Sequence, residues 1–112
     1  MDEKQLENYR HDLAFIRMMQ EQTIQDFNRF GYELSFNSEL PFNFDVVKQQ
    51  LAQQVKSICK NESGRLQGLL YHIDIPEHFL KAGAGCADPL GLAELILQRE
   101  LIKVVMRKLY SS

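Results

Sequence analysis

The sequence predicts an all-α fold, a compact bundle of about four to five helices that forms a single helical domain over residues 1–112. Two observations support this prediction. Apolar residues recur at alternating steps of three and four along several segments, which is the spacing of one face of an α-helix. The chain also has 45% apolar and 25% charged residues, close to the average for soluble globular domains, and its length suits one hydrophobic core.

The first segment predicts a long N-terminal helix over about Glu3–Phe30. Acidic residues stand at its start and Gly31 follows its last periodic residue, as expected at the two ends of a helix. Its heptad pattern is interrupted by polar side chains at Gln20 and Thr23, which in coiled coils set register and partner number. We therefore expect this helix to mediate self-association, although a seam against the final helix explains the same pattern. The expected contact residues are Leu6, Tyr9, Leu13, Ile16, Gln20 and Phe27.

Residues 31–44 predict an extended crossover whose aromatic rings cover one end of the core. Apolar and polar residues alternate on either side of Asn37 and Ser38, so a short β-hairpin near residues 32–44 is an alternative. Pro41 weakens the second strand of that hairpin, because proline cannot donate to a ladder.

The middle of the chain predicts short elements separated by turn signals. Asparagine, aspartate and serine are good helix caps, and proline suits the first turn of a helix. The predicted elements are a helix that begins near Asn43 or Asp45, a short helix over Arg65–Ile73 capped by Ser63, a turn or two over Pro76–Lys81 and a flexible connection over residues 82–87.

The final segment, Leu90–Tyr110, predicts a helix that is buried on nearly all sides. Of its 21 residues, 13 are apolar or aromatic, and on a helical wheel they cover almost every direction. Asp88 and Pro89 suit its cap and its first turn. We therefore expect this helix to be central and largely buried. Glu94 falls among its apolar residues and requires a polar partner, for which Arg65 is a candidate.

Charge and cysteine content restrict the environment of the chain. A net charge of -2 creates no global field toward nucleic acid or an anionic membrane. No apolar run approaches the ~20 residues that cross a bilayer, and the first residues do not resemble a signal peptide. These observations predict a cytoplasmic protein without membrane contact. Cys59 and Cys86 form neither a redox Cys-x-x-Cys motif nor a metal knuckle, so we expect reduced thiols, with a structural disulfide as the alternative.

His72, Asp74, Glu77 and His78 form the densest group of side chains with metal-binding or proton-transfer chemistry, and His72, Asp74 and His78 are the candidate ligands of a divalent cation. Their spacing matches no established ligand pattern, and the segment between them is explained as a helix junction before Pro76. The sequence therefore predicts no metal and no cofactor. A small metal-dependent or acid–base enzyme around His72–His78 is kept as an alternative function.

Arg99, Lys103 and Arg107 recur every four residues and form a basic stripe on the final helix. Such a stripe can contact phosphates, which makes a nucleic-acid-associated regulator a second alternative. Few charges are aligned, however, and no aromatic residues interleave with them to stack on bases. The stripe is therefore better explained as the solvated side of an otherwise buried helix.

The sequence lacks the local motifs of common enzyme classes, including the nucleophile elbow, the zinc-protease helix and the P-loop. This favours a protein without catalytic residues. The function that we expect is a non-catalytic helical module that associates with itself, as a homodimer, or with another protein through the first helix and the aromatic crossover.

Overall fold

The computed structural model describes residues 3–79 and 84–110 and confirms the all-α prediction. Helices and short 3₁₀ turns make up its regular structure, and no strand occurs in these two ranges. No helix among them has the length and apolar character required to span a membrane. The helices are α1 (Glu3–Tyr9), α2 (Leu13–Arg29), α3 (Phe44–Asn61), α4 (Leu66–His72), α5 (Ala84–Ala87) and α6 (Pro89–Tyr110), with 3₁₀ turns at Ser63–Arg65 and Glu77–Phe79.

Helix α6 is the central element, as its apolar composition predicts. The long helices α2 and α3 both pack chiefly on α6, and α1 and α5 also contact it. Eight of its side chains between Leu92 and Val105 are buried, whereas its last turn leaves the bundle. Burying one large apolar side chain contributes about 1.5–3 kcal/mol. The faces that α6 shares with α2 and α3 are therefore the main source of stability.

The long helix predicted over Glu3–Phe30 is divided into α1 and α2, which corrects the sequence analysis. The division lies at Asp12, whose carboxylate accepts hydrogen bonds from the Ala14 and Phe15 amides at 3.0 and 3.4 Å. This side chain caps a new helix. A straight helix over the whole segment would extend about 40 Å, whereas the longest dimension of the molecule is 38 Å. The break allows α1 to fold back onto α6.

The crossover between α2 and α3 is extended but has no partner strand, so the hairpin considered for residues 32–44 does not form. Glutamine side chains of α3 bind its backbone instead. The Ser35 amide donates to Gln54 Oε1 and Gln54 Nε2 donates to the Ser35 carbonyl, both at 2.8 Å. The Asn37 amide donates to Gln50 Oε1 at 2.7 Å. At Ser35, the side-chain amide of Gln54 thus provides both the donor and the acceptor that a neighbouring strand would provide.

The aromatic rings of the crossover close one end of the core, as predicted. Tyr32 and Phe44 are buried, and Phe36 and Phe42 are half-buried against the core. Each of three rings also carries an arginine on its face, an arrangement that stabilises by about 0.5–1 kcal/mol at exposed sites. The pairs are Arg10 on Phe44, Arg17 on Phe42 and Arg65 on Tyr32, with guanidinium carbons 4.1, 4.7 and 5.1 Å from the ring centres.

Arg65 joins the end of α2 to the segment before α4, and is not the partner of Glu94 that the sequence suggested. Its Nε donates to the Phe30 carbonyl at 2.6 Å. Its guanidinium also lies 3.2 Å from the position that a Cβ of Gly31 would occupy. Gly31 has a φ of 84°, a left-handed conformation that glycine adopts without strain. Glu94 instead accepts a hydrogen bond from Arg10 at 3.0 Å.

The middle elements follow the predictions in part. Asn43 caps α3, since its side chain accepts from the Val46 amide. The predicted Ser63 cap does not form, because a 3₁₀ turn without a side-chain cap precedes α4. The turn predicted over Pro76–Lys81 is a single 3₁₀ turn within the described range. Residues 80–83 lie outside that range, and the connection predicted over residues 82–87 contains α5 in its second part.

The contact between Gln54 and Ser35 leads to a prediction about stability. Gln54→Ala removes two hydrogen bonds to the crossover backbone, each of which contributes about 0.5–1.5 kcal/mol. We expect a loss of ~1–3 kcal/mol in the free energy of unfolding, measured by urea denaturation. Gln53→Ala, at the exposed neighbouring position of α3, is the control and should change stability by less than ~0.5 kcal/mol. Equal effects of the two variants would show that the amide does not hold the crossover.

Candidate functional site

The most concentrated group of polar side chains lies between α2 and α6. Asp26 is 1% exposed and accepts hydrogen bonds at both oxygens. Gln22 Nε2 donates to its Oδ1 and Lys103 Nζ donates to its Oδ2, both at 3.1 Å. Arg107 donates to Gln22 Oε1 at 3.0 Å. Residues three and four apart lie on one face of a helix, so the two helices present two short polar rows to one another.

Helix α4 and the end of α2 extend this cluster to the surface. His72 Nε2 lies 3.6 Å from Asp26 Oδ1. Arg29 Nη1 lies 3.3 Å from the same imidazole nitrogen, and the Phe30 ring packs on the imidazole with the ring centres 5.7 Å apart. About a third of the His72 side chain is exposed. The buried carboxylate of Asp26 is therefore connected to solvent through His72 on one side and through Lys103 on the other.

Glu100 is the second buried carboxyl group of the cluster and is fully inaccessible to solvent. Burial raises the pKa of Glu100 to about 9, and the hydrogen bond and the negative charge of Asp26 add to this effect. Apart from this interaction with Asp26, neither Glu100 oxygen has a hydrogen-bond partner among the residues that the structure describes. A buried carboxylate in that position would be unsolvated, whereas a protonated carboxyl can donate to Asp26. The raised pKa therefore favours the neutral form of Glu100 at physiological pH, next to Asp26.

Asp26 has the opposite shift. Its burial alone would raise the pKa, but the hydrogen bonds from Glu100, Lys103 and Gln22, together with the charge of Lys103, outweigh burial and lower it. One neutral and one ionised carboxyl therefore stand side by side. Such pairs carry out acid–base chemistry where a substrate can reach them, but neither carboxyl of this pair is itself exposed at the surface. The arrangement suits a structural role between α2 and α6.

Two of the three residues of the predicted basic stripe take part in this cluster. Lys103 contacts Asp26 and Arg107 contacts Gln22, so both side chains are directed to α2. Arg99 is exposed. Two of the three cations are thereby engaged in contacts within the chain, which reduces the number of positive charges that the stripe has free to bind phosphates. The sequence identified Lys103 and Arg107 but missed Asp26 and Glu100.

The three residues considered for a metal site point to different neighbours. His72 contacts Asp26, and His78 packs on Phe79 with ring centres 4.5 Å apart. Asp74 is exposed and has a φ of 66° at the turn after α4. Within residues 3–79 and 84–110, no three His, Cys, Asp or Glu side chains are grouped so as to hold a metal ion.

The residues proposed for self-association divide into two groups. Leu6, Ile16 and Phe27 are buried in the core of the chain itself, which is the intramolecular seam considered as the alternative. Tyr9 and Gln20 are half-buried, and Leu13 is 58% exposed. In this conformation only the second group can reach a partner. The last turn of α6 adds exposed apolar side chains that are not among the predicted contact residues.

These side chains form one wall of a groove between α1 and the end of α6. Met106, Leu109 and Tyr110 are 40, 53 and 75% exposed, and they face Tyr9 across a cavity of about 380 Å³. Polar residues, among them Asn8 and Asp12, form the rest of the lining. Large apolar side chains grouped at a surface are typical of a contact site. The sequence shows that α6 is rich in apolar residues up to its last turn. A helical wheel, however, does not show which turn of the helix extends beyond the bundle and is exposed.

Cys59 on α3 and Cys86 on α5 form a disulfide across 27 residues of sequence. The expectation of reduced thiols is therefore wrong for this state of the chain. Their separation along the sequence gives no sign of the pairing, because contact depends on how α5 packs against α3.

Comparison of the chain with known proteins finds no matching family model, no similar curated protein and no similar solved structure.

The raised pKa of Glu100 predicts that stability falls as the pH rises from 4.5 to about 9. Between the ordinary value of 4.5 and about 9, the folded chain keeps a proton that the unfolded chain has lost. Stability therefore falls as pH rises through this window, by up to ~1.4 kcal/mol per pH unit. Asp26, with its lowered pKa, instead contributes stability that is lost only as acid protonates it.

Glu100→Gln removes this dependence, because its amide cannot ionise and keeps an N–H donor for Asp26. We expect thermal unfolding to show that the variant is more stable than the parent near pH 8 and has a flatter profile between about pH 5 and pH 9. Glu21→Gln, at an exposed position of α2, is the control and should follow the parent. Parallel profiles of the parent and Glu100→Gln would contradict a neutral Glu100.

Lys103 and Arg99 are predicted to differ in their contribution to stability. Lys103→Met leaves the ionised Asp26 buried without its cation. Breaking a fully buried pair costs about 3–5 kcal/mol, and we expect ~2 kcal/mol here because the Lys103 side chain is 37% exposed. Arg99→Met should change stability by less than ~0.5 kcal/mol. Urea denaturation of both variants measures the difference, and similar losses would refute the proposed pairing.

Proposed function

We propose that the chain is a non-catalytic helical module that associates with a second copy of itself through the groove between α1 and the end of α6. The supporting observation is the exposure of Met106, Leu109 and Tyr110 in one helical turn beside Tyr9. Interfaces draw their binding energy from a few clustered large side chains, with tyrosine and methionine enriched. The groove has that composition, whereas the buried carboxyl pair offers no surface to a substrate.

A second copy fits the groove because both charge signs lie around it. Asp12 lines the groove, and Lys108 is exposed next to Leu109 on the same turn of α6. In a twofold arrangement the same patch of each copy meets the other, so an acid of one copy can face a base of its partner. The net charge of -2 also gives little repulsion between two copies.

We also propose that the protein is located in the cytoplasm. Disulfides in cytosolic proteins are usually transient and respond to the redox state of the cell. In that location the Cys59–Cys86 disulfide would be a bond that cellular thiols can open and not a permanent one.

Sedimentation equilibrium of the intact chain tests self-association. We expect a mass of twice the 13.1 kDa of one chain at tens of micromolar protein. The double variant Leu109→Ser and Tyr110→Ser should weaken the dimer by at least tenfold, about 1.4 kcal/mol. Leu90→Ser is the matched control, since Leu90 is 50% exposed at the opposite end of α6. A parent chain that remains monomeric near ~100 μM, or equal effects of both variants, would contradict the proposal.

A further inference from the structure

The Cys59–Cys86 disulfide lines a pocket of about 340 Å³ on the surface of the bundle. Both cysteines are half-buried, so the sulfur atoms lie at the edge of the core. The apolar part of the wall comes from Leu66, Leu70 and Phe79. A volume of this size is within the range of pockets that hold small organic molecules.

We propose that this pocket is a site of thiol–disulfide exchange with small cysteinyl peptides of the glutathione type. Ser63 and Gln67 stand among the lining residues and offer polar groups to the peptide backbone of such a thiol. The leucine and phenylalanine side chains can contact its aliphatic part. The proposal does not depend on self-association, because the groove at the end of α6 has a different lining.

The exchange is a two-step reaction. The thiolate of the incoming peptide attacks one of the two Sγ atoms and forms a new S–S bond, while the Cys59–Cys86 bond breaks. The other Sγ leaves as a thiolate and takes a proton from water. A second peptide thiolate then attacks the peptide sulfur of the mixed disulfide, and the remaining protein Sγ leaves as a thiolate that takes a proton from water. The protein is released as a dithiol, and the two peptides leave as their own disulfide, having supplied the two electrons.

The position of the disulfide permits this reaction in the folded chain. Cys59 belongs to α3, which has a face buried along much of its length. Cys86 belongs to α5, a helix of only four residues. The leucines of α4 are buried in the core. Opening the bond therefore frees α5 from α3 while the packing of α2, α3 and α6 is kept. The sequence contains no further cysteine, so the two thiols can re-form only this bond within one chain.

Intact mass spectrometry of the oxidised chain in reduced glutathione, quenched with acid, tests the proposal. We expect one species with a single glutathione adduct, followed by the dithiol form. Exchange in the folded chain should proceed at the same rate in water and in low concentrations of urea. If exchange required global unfolding, its rate would instead rise steeply with urea, since urea shifts the folding equilibrium. That result would overturn the proposal.

A second measurement tests whether the peptide uses the pocket. Ser63→Trp places a large ring at the pocket and should slow exchange by about tenfold, because exchange rates depend on access to the sulfur. Ser57→Trp adds the same ring at an exposed position of α3 that does not line the pocket. This control should keep the parent rate, and circular dichroism should show both variants folded. Equal rates for the parent and Ser63→Trp would refute a role of the pocket.

Discussion

Burial of α6 between α2 and α3 is the constraint on which the remaining structure depends. Most of this surface is apolar and would tolerate small shifts of one helix along another. The buried carboxyls of Asp26 and Glu100 do not, because a shift of one turn would separate them from each other and from Lys103. An unpaired buried charge is far more costly than a lost apolar contact. The polar cluster thus selects one register for α2, while the apolar contacts provide the stability.

The central role of α6 could be predicted from the sequence, since a helix that is apolar in nearly every direction must be enclosed. The break at Asp12 could not, because apolar residues continue at heptad spacing through it. Periodicity records which residues face the core, and α1 and α2 both face α6. The crossover was also only partly predictable. Its backbone is held by Gln50 and Gln54, whose approach to it depends on tertiary packing.

The polar cluster could be predicted from the sequence only by combining two inferences. If α6 is enclosed, Glu100 is enclosed with it, and a buried glutamate requires a partner on a neighbouring helix. Asp26 lies next to Phe27, which is among the expected contact residues of the first helix. Joining these two positions requires the alignment of α2 against α6, which composition does not contain. The pairing of Cys59 with Cys86 is harder still, since α5 is too short to leave a periodic signal.

The glutamine contacts of the crossover restrict how this protein can vary in length. Gln50 and Gln54 share one side of α3 because they are four residues apart, and each residue of a helix turns it by about 100°. Insertion or deletion of one residue between Gln50 and Gln54 would turn one amide by about 100° relative to the other, so that both could no longer bind the crossover. Homologous chains should therefore change length in the loop around residues 38–41 and conserve the four-residue spacing of these two glutamines.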